Sequence, residues 1–215
     1  IRIQAAFRFL QVFRIVTKII IEIPFTFVYN DTIPVPAPAG SPERSFSVMY
    51  TVNAIRNVCL LGHSGSGKSA LAESLLYMTG AIDRMGRNAD GNTVCDYDPE
   101  EIRRNCSIST SVVPLEYHNC KINLLDTPGG FDFSGAVMEA LRAADAAILV
   151  CSAKDGITVG FEKAWQYCEE RNMPRFIYIS KVDEDHSDYN ATFNALRERY
   201  GNKIAPVVVP IWDKN

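Results

Sequence analysis

Gly62-His63-Ser64-Gly65-Ser66-Gly67-Lys68-Ser69 is the stretch whose reading decides the fold. It fits the phosphate-loop pattern G-x-x-x-x-G-K-[ST]. Before it runs Val58-Cys59-Leu60-Leu61, a short apolar run that reads as a buried strand. After it comes Ala70-Leu71-Ala72-Glu73-Ser74-Leu75-Leu76-Tyr77-Met78, helix formers with apolar residues at helical spacing. Strand, glycine loop and helix together aim backbone N–H groups and a positive helix N-terminus at one point, which suits an anionic phosphate. The glycines permit backbone angles that a side chain forbids. In this reading residues Gly62 to Ser69 cradle phosphates, Lys68 reaches the β- and γ-phosphates, and the Ser69 hydroxyl ligates Mg²⁺. A chance match in a glycine-rich loop is the competing explanation, and the flanking pattern weighs against it.

Downstream, the pattern of strand, loop and helix repeats, which predicts an α/β fold: a mostly parallel sheet with helices on both faces. Gly80 to Asn105 is a long polar segment with Gly86, Gly91 and Pro99, and is read as a functional or mobile loop. Ser107 to Tyr117 alternates polar and apolar residues as a half-buried strand does. His118-Asn119 forms a tight turn, and Lys121 to Leu125 returns as the hairpin partner. A helix is expected from about Ser134 to Ala143, a strand over Ala146 to Cys151, a helix from about Phe161 to Arg171 and a strand over Arg175 to Ile179. Asp188 is a candidate cap for a last helix running to about Tyr200. Ile204 to Ile211 is extended, and its prolines disqualify it as a central strand.

In open α/β sheets ligands bind at the carboxyl ends of the strands. The phosphate loop, Asp126-Thr127-Pro128-Gly129 and Ser180-Lys181-Val182-Asp183 each come directly after such a strand, so one crevice is expected to hold all three. Asp126 is placed to hold Mg²⁺, and the Gly129 N–H to reach a γ-phosphate. Asp183 can accept from two adjacent donors of guanine, a pair that adenine lacks, while the Lys181 stem lies along the base. Taken singly, Asp126 reads equally well as a turn aspartate and Asp183 as a surface carboxylate. In this order, each at a strand end, the motifs point to a nucleotide-dependent hydrolase of the GTPase type.

The chain has 215 residues, 47% hydrophobic and 22% charged, which describes one globular domain with extra length, and its net charge of −3 gives no hint of a surface that coats nucleic acid, a local patch aside, so no DNA partner is expected. Its six cysteines show no C-x-x-C spacing, and are read as free thiols in a reducing cytosol. Residues 1–48 do not match the rest of the chain: Arg2, Arg8, Arg14 and Lys18 interrupt an apolar opening, and a Pro-rich linker spans Thr32 to Pro42. A membrane span needs about 20 nearly uncharged residues, so no membrane partner is expected. The preferred reading takes Met49 as the natural start and residues 1–48 as a non-homologous extension, disordered or not native. A membrane-associating extension is the alternative. Residues 49–215 then form the functional domain.

From about Arg56 to Ile211 the chain resembles the start of the GTP-binding domain of bacterial elongation factor G, and its paralogues more than the main translocase. The resemblance rests on Ile55-Arg56-Asn57-Val58, His63 and Leu75-Leu76-Tyr77-Met78-Thr79-Gly80. It continues through Ser107-Ile108-Ser109, Lys121 to Gly129, Phe131-Asp132-Phe133 and Pro174-Arg175. It implies a P-loop NTPase fold, GTP and GDP as ligands, Mg²⁺ as cofactor, the ribosome as partner and a cytoplasmic location. It makes Gly80 to Asn105 the first switch and Gly129 to about Ser134 the second. Switch residues are then Ser107, Asp126, Thr127, Pro128, Gly129 and Gly130, and Mg²⁺ ligands are Ser69, Ser107 and Asp126. Ser180, Lys181 and Asp183 read guanine. Lys68 and Gly129 are the catalytic candidates, with no general base assigned. The resemblance also implies that the last strand and helix of the fold lie beyond Asn215, leaving an incomplete sheet.

Four positions depart from the family pattern. Gly130 stands where a water-positioning histidine is usual, a loss that typically costs about 10²–10⁴ in rate. His63 is expected to pack locally and not to replace it. Ser180 stands for asparagine, so weaker nucleotide binding is expected, by about 1–3 kcal/mol if a buried partner is left unpaired. Ser107 replaces threonine, keeping the hydroxyl. Gly65 replaces an aspartate and removes support for an extra cation site. The sequence therefore reads as a slow Mg²⁺-dependent GTPase. The rival readings are a nucleotide-gated binding module with negligible hydrolysis and, from Lys181-Val182-Asp183 the weaker one, an ATP-using P-loop enzyme.

Overall fold

The computed structural model describes residues 50–210; the readings of residues 1–48, of Met49 as a start and of the stretch beyond Pro210 lie outside these. Strand β1 (Ile55–Gly62) is the centre of a five-stranded sheet. After it along the chain come β2 (Ser111–Tyr117), β3 (Cys120–Asp126), β4 (Ala146–Ser152) and β5 (Arg175–Ser180), in the spatial order β2-β3-β1-β4-β5. The β1–β3, β1–β4 and β4–β5 pairs are parallel, and only the β2–β3 hairpin is antiparallel. At the hairpin turn His118 and Asn119 have φ of 47° and 60°, the left-handed pair that a two-residue turn requires.

Alternation along β1 explains the layering. Val58 and Leu60 face one side, and pack with Leu71, Leu75 and Leu76 of helix α1 (Lys68–Met78). Cys59 and Leu61 face the other, against Val137 and Leu141 of α3 (Ser134–Ala143), Phe161 and Cys168 of α4 (Val159–Glu170) and Leu196 of α5 (Tyr189–Tyr200). A strand stretch with side chains alternating at period two and both faces covered is apolar throughout, as Val58 to Leu61 of β1 and Ala146 to Cys151 of β4 are. Each fully buried Leu or Ile contributes about 1.5–3 kcal/mol to the folded state. Thr158 and Asp188 cap α4 and α5, accepting from the N–H groups of Phe161 and Ala191.

Two expectations need correction. Gly80 to Asn105 is not a structureless loop: it holds a 3₁₀ turn at Asn88–Asp90 and a short helix α2 (Pro99–Arg104). Asp98 caps α2 by accepting from the Glu100 N–H, Pro99 occupies its first turn, and Asn105 ends it at φ 52°. The second concerns β2, which begins at Ser111 and not at Ser107. The N–H groups of Ile108 and Ser109 are taken by the Glu101 carboxylate and so are lost to any ladder. Ile204 to Pro210 adds no strand, as expected. All six cysteines are free thiols.

Candidate functional site

The register of the parallel strands sets the site. Leu60 pairs with Asp126, Gly62 with Val150, and Ser152 with Ser180, so the carboxyl ends of β1, β3, β4 and β5 finish side by side. Beyond β1 the chain reverses through residues 62–67 into α1. Gly62 has φ of 148°, and a Cβ there would lie 2.6 Å from the Val150 carbonyl, so only glycine lets the loop leave the sheet. Gly67, at φ 98°, ends the loop as the left-handed residue before α1.

Lys68 is buried at the first position of α1, and its Nζ donates to the carbonyls of Gly62 and His63 at 3.1 and 2.9 Å. The ammonium thus sits inside the curl of the loop. Burial pulls its pKa down, and the nearby Asp126 carboxylate pulls it back up. A bound anion would relieve that burial cost directly. One residue on, the Ser69 hydroxyl donates to Asp126 Oδ2 at 2.5 Å. Asp126 is 1% exposed, and its other oxygen, Oδ1, has no hydrogen-bond partner. Burial raises the Asp126 pKa, opposed by the Ser69 hydrogen bond and the Lys68 charge. A buried, unpartnered carboxylate oxygen next to a hydroxyl is a set of hard oxygen donors that fits Mg²⁺.

Thr127 anchors the next turn, its Oγ1 donating to the Leu60 carbonyl at 2.6 Å, and Pro128 is buried behind it. Gly129 then presses on the phosphate loop: a Cβ there would lie 2.4 Å from Ser64 N and 2.6 Å from Lys68 Nζ. Gly130 is different. Its φ of −79° and ψ of 141° suit any residue, and a Cβ would stand 3.2 Å from the Phe133 ring.

Ser180, at the end of β5, donates its hydroxyl to the Ser66 carbonyl at 2.6 Å, with the Cys151 carbonyl a second acceptor at 3.3 Å. The serine, although it lacks a carboxamide, is thereby tied to the phosphate loop. Its single proton is spent on that tie. Lys181 comes next at φ 55°, its Nζ 3.9 Å from Glu184, and Asp183 is exposed two residues beyond it. The Asp183 charge adds to the burial that raises the Tyr178 hydroxyl to about 12.

His63 packs locally. A Cβ on Gly160 would fall 2.8 Å from its Nδ1, and its ring lies 6.0 Å from that of Phe131, over which Lys163 Nζ sits at 4.3 Å. Ser107 is half-buried in the connection between α2 and β2, and the Ser69 hydroxyl is paired with Asp126 instead. The structure thus joins Lys68, Ser69, Asp126, Gly129 and Ser180 to the loop by direct contact, and among the described residues no hydrogen bond ties Ser107 or Asp183 to it.

Sequence reasoning missed Glu73 and Glu101, both 2% exposed. Glu73 accepts from the Gly86 and Val94 N–H groups, and Glu101 from those of Ile108 and Ser109. The available signal was a glutamate on the apolar face of α1. It also missed Cys95, buried beside Asp126, whose thiol is pushed up by burial and by that carboxylate.

The elongation factor Tu GTP binding domain model matches residues 53–210. The chain is 40% identical over 159 residues to the elongation factor G-like protein of Mycobacterium tuberculosis, covering 74% of this chain and 22% of that protein. It is 28% identical over 173 residues to the mitochondrial ribosome-releasing factor 2 of Yarrowia lipolytica, covering 80% and 22%. The crystal structure of ttk003000868 from Thermus thermophilus superposes with a TM-score of 0.72 at 42% identity, covering 75% of this chain and 24% of that one. The chain spans about a fifth of the length of these curated relatives, 22% in each case. Among the described residues no helix is long and apolar enough to cross a membrane.

Proposed function

Because the chain belongs to the elongation factor Tu GTP-binding domain family, its branch being that of elongation factor G-like translational GTPases, we propose that residues 49–215 bind GTP and GDP with Mg²⁺ and hydrolyse GTP slowly. The observation that carries the reading is the convergence of Lys68, the Ser69–Asp126 pair, Gly129 and the Ser180–Ser66 tie on one loop.

In this reading the amides of residues 62–69 and the Lys68 ammonium hold the phosphates, and Asp183 with the Lys181 stem reads guanine. Ser69, Asp126 and Ser107 hold Mg²⁺, which when bound neutralises phosphate charge. Phosphoryl transfer to water is then governed by positioning and charge stabilisation. In this reading the Gly129 N–H meets a terminal phosphate, and closeness of Gly129 to Ser64 and Lys68 supports that role. Gly130 offers no side chain to orient water, which is why the intrinsic rate is slow. His63 does not replace it, since it is packed between Gly160 and Phe131.

The domain works as part of a longer protein on the ribosome, in the cytoplasm or, as the mitochondrial relative's name allows, an organelle. Neither membrane nor DNA is a partner in this reading. Family membership favours hydrolysis over a nucleotide-gated module that only binds. Single-turnover GTP hydrolysis by the intact protein, with and without ribosomes, tests this. Slow turnover accelerated by ribosomes supports the reading, and no turnover in either condition overturns it.

A further inference from the structure

Two buried carboxylates outside the phosphate loop grip the segment between α1 and β2 by its backbone. Glu73 lies on α1 one turn after Ser69, on the same helical face. Its Oε1 accepts from the Gly86 N–H at 2.8 Å, and its Oε2 from the Val94 N–H at 2.9 Å. Glu101, on α2, uses a single oxygen: Oε1 accepts from the N–H groups of Ile108 at 2.8 Å and Ser109 at 3.0 Å. Both side chains are 2% exposed, so neither bond competes with bulk water.

The fit around each clamp is close. A Cβ on Gly86 would lie 2.9 Å from Glu73 Oε1 and 2.4 Å from the Asn92 carbonyl, so the backbone approach requires glycine. Between the clamps, Thr93 and Asn88 both donate to Asp96 Oδ2, and the Ser111 hydroxyl donates to the Cys95 carbonyl. The residues gripped by Glu101 are the two that come directly after Ser107.

We propose that Glu73 and Glu101 are positioning residues for the 86–109 segment, Glu73 tying it to the helix that leaves the phosphate loop and Glu101 fixing the backbone directly after Ser107. The role in catalysis rests on the function proposed above. The clamp itself rests on the four hydrogen bonds alone. One helix face thereby presents Ser69 to Asp126 and, a turn later, fixes the segment that must meet the same ligand. Outer-shell partners of this kind typically change metal affinity or activity by about 10–100-fold when removed.

The geometry makes the two conservative substitutions differ. Glu101→Gln keeps an oxygen that can take both N–H groups, whereas Glu73→Gln sets an NH₂ donor against one of its two. Amide hydrogen exchange on the intact, nucleotide-free protein reads this directly. Gly86 and Val94 should lose protection in Glu73→Ala, and Ile108 and Ser109 in Glu101→Ala. Glu101→Gln should keep it, and Glu73→Gln should lose it at one of its two amides.

Mg²⁺ titrations of single-turnover hydrolysis supply the second readout. Both alanine variants should lose about 10–100-fold in rate and need more Mg²⁺, with GDP affinity unchanged, while Glu101→Gln stays near the parent. The proposal is overturned if Glu101→Gln behaves as Glu101→Ala, if GDP affinity falls in step with hydrolysis, or if the four amides exchange alike in parent and variants. A parent that binds no guanine nucleotide removes the catalytic role with the function reading, and the exchange pattern still reports on the clamp separately.

Discussion

The Ser69 hydroxyl donates to Asp126 Oδ2 across 2.5 Å, joining the first turn of α1 to the end of β3. It leaves Asp126 Oδ1 buried without a partner, which is an arrangement suited to a cation and not a finished structural hydrogen bond. Ser69→Ala strips the carboxylate of this donor. We expect the nucleotide-free domain to lose about 1–3 kcal/mol in urea denaturation. We also expect the Mg²⁺-dependent part of GDP binding to vanish, checked by titration with and without the metal.

Gly129 and Gly130 are neighbours with opposite demands. Gly129→Ala drives a Cβ into Ser64 N and Lys68 Nζ, so a stability loss of about 1–3 kcal/mol is expected from chemical denaturation. Gly130→His meets no backbone obstacle, and asks the Phe133 ring to yield only a few tenths of an ångström. It should restore a water-orienting group and raise single-turnover GTP hydrolysis by about 10²–10⁴. An unchanged rate in a folded Gly130→His variant would show that the missing side chain is not what limits turnover.

Ser180 links β5 to the phosphate loop through the Ser66 carbonyl at 2.6 Å. Ser180→Ala leaves that carbonyl without its donor and should weaken GDP binding by about 1–3 kcal/mol. Ser180→Asn supplies additional donors, so it should tighten binding relative to serine. Isothermal titration of the three proteins orders them Asn, Ser, Ala from tightest to weakest.

The thiols divide by burial. Cys151 and Cys168 are pushed up by burial to about 12 and about 11, and Cys59 and Cys95 are raised as well. A neutral aqueous alkylating reagent should therefore label Cys106 and Cys120, which are half-buried, and spare the other four until the protein unfolds, as read by mass spectrometry. Raised folded values favour the protonated thiols. Their contribution to stability is full below the ordinary thiol value of 9.0 and is lost as pH climbs toward 11 and 12, so alkaline denaturation should begin in that window.

Much of the site could be read from residues 58–78 and 121–130 because their signals are local. Glycine spacing, an apolar strand and a helix start sit within one short window, and parallel pairing brings strand ends together without further information. Helix α2 left a local signature too, in Asp98-Pro99 before Glu100-Glu101 and Arg103-Arg104, but the surrounding polar composition hid it. Residues 107–110 alternate like a strand, and what removes them from the ladder is the Glu101 side chain, several residues upstream. The roles of Glu73 and of the Ser180 hydroxyl depend on partners distant in sequence, Val94 and Ser66, and no local pattern encodes those.

The central claim is that the loop at 62–69 is a guanine-nucleotide site. Its most direct test is the affinity of the intact protein for GDP and GTP, with ADP as control, in the presence and absence of Mg²⁺ and in Lys68→Ala. The account predicts micromolar or tighter guanine binding that depends on Mg²⁺, rejects ADP and is lost in Lys68→Ala. Equal binding of ADP and GDP, or no binding by a folded protein, would contradict it.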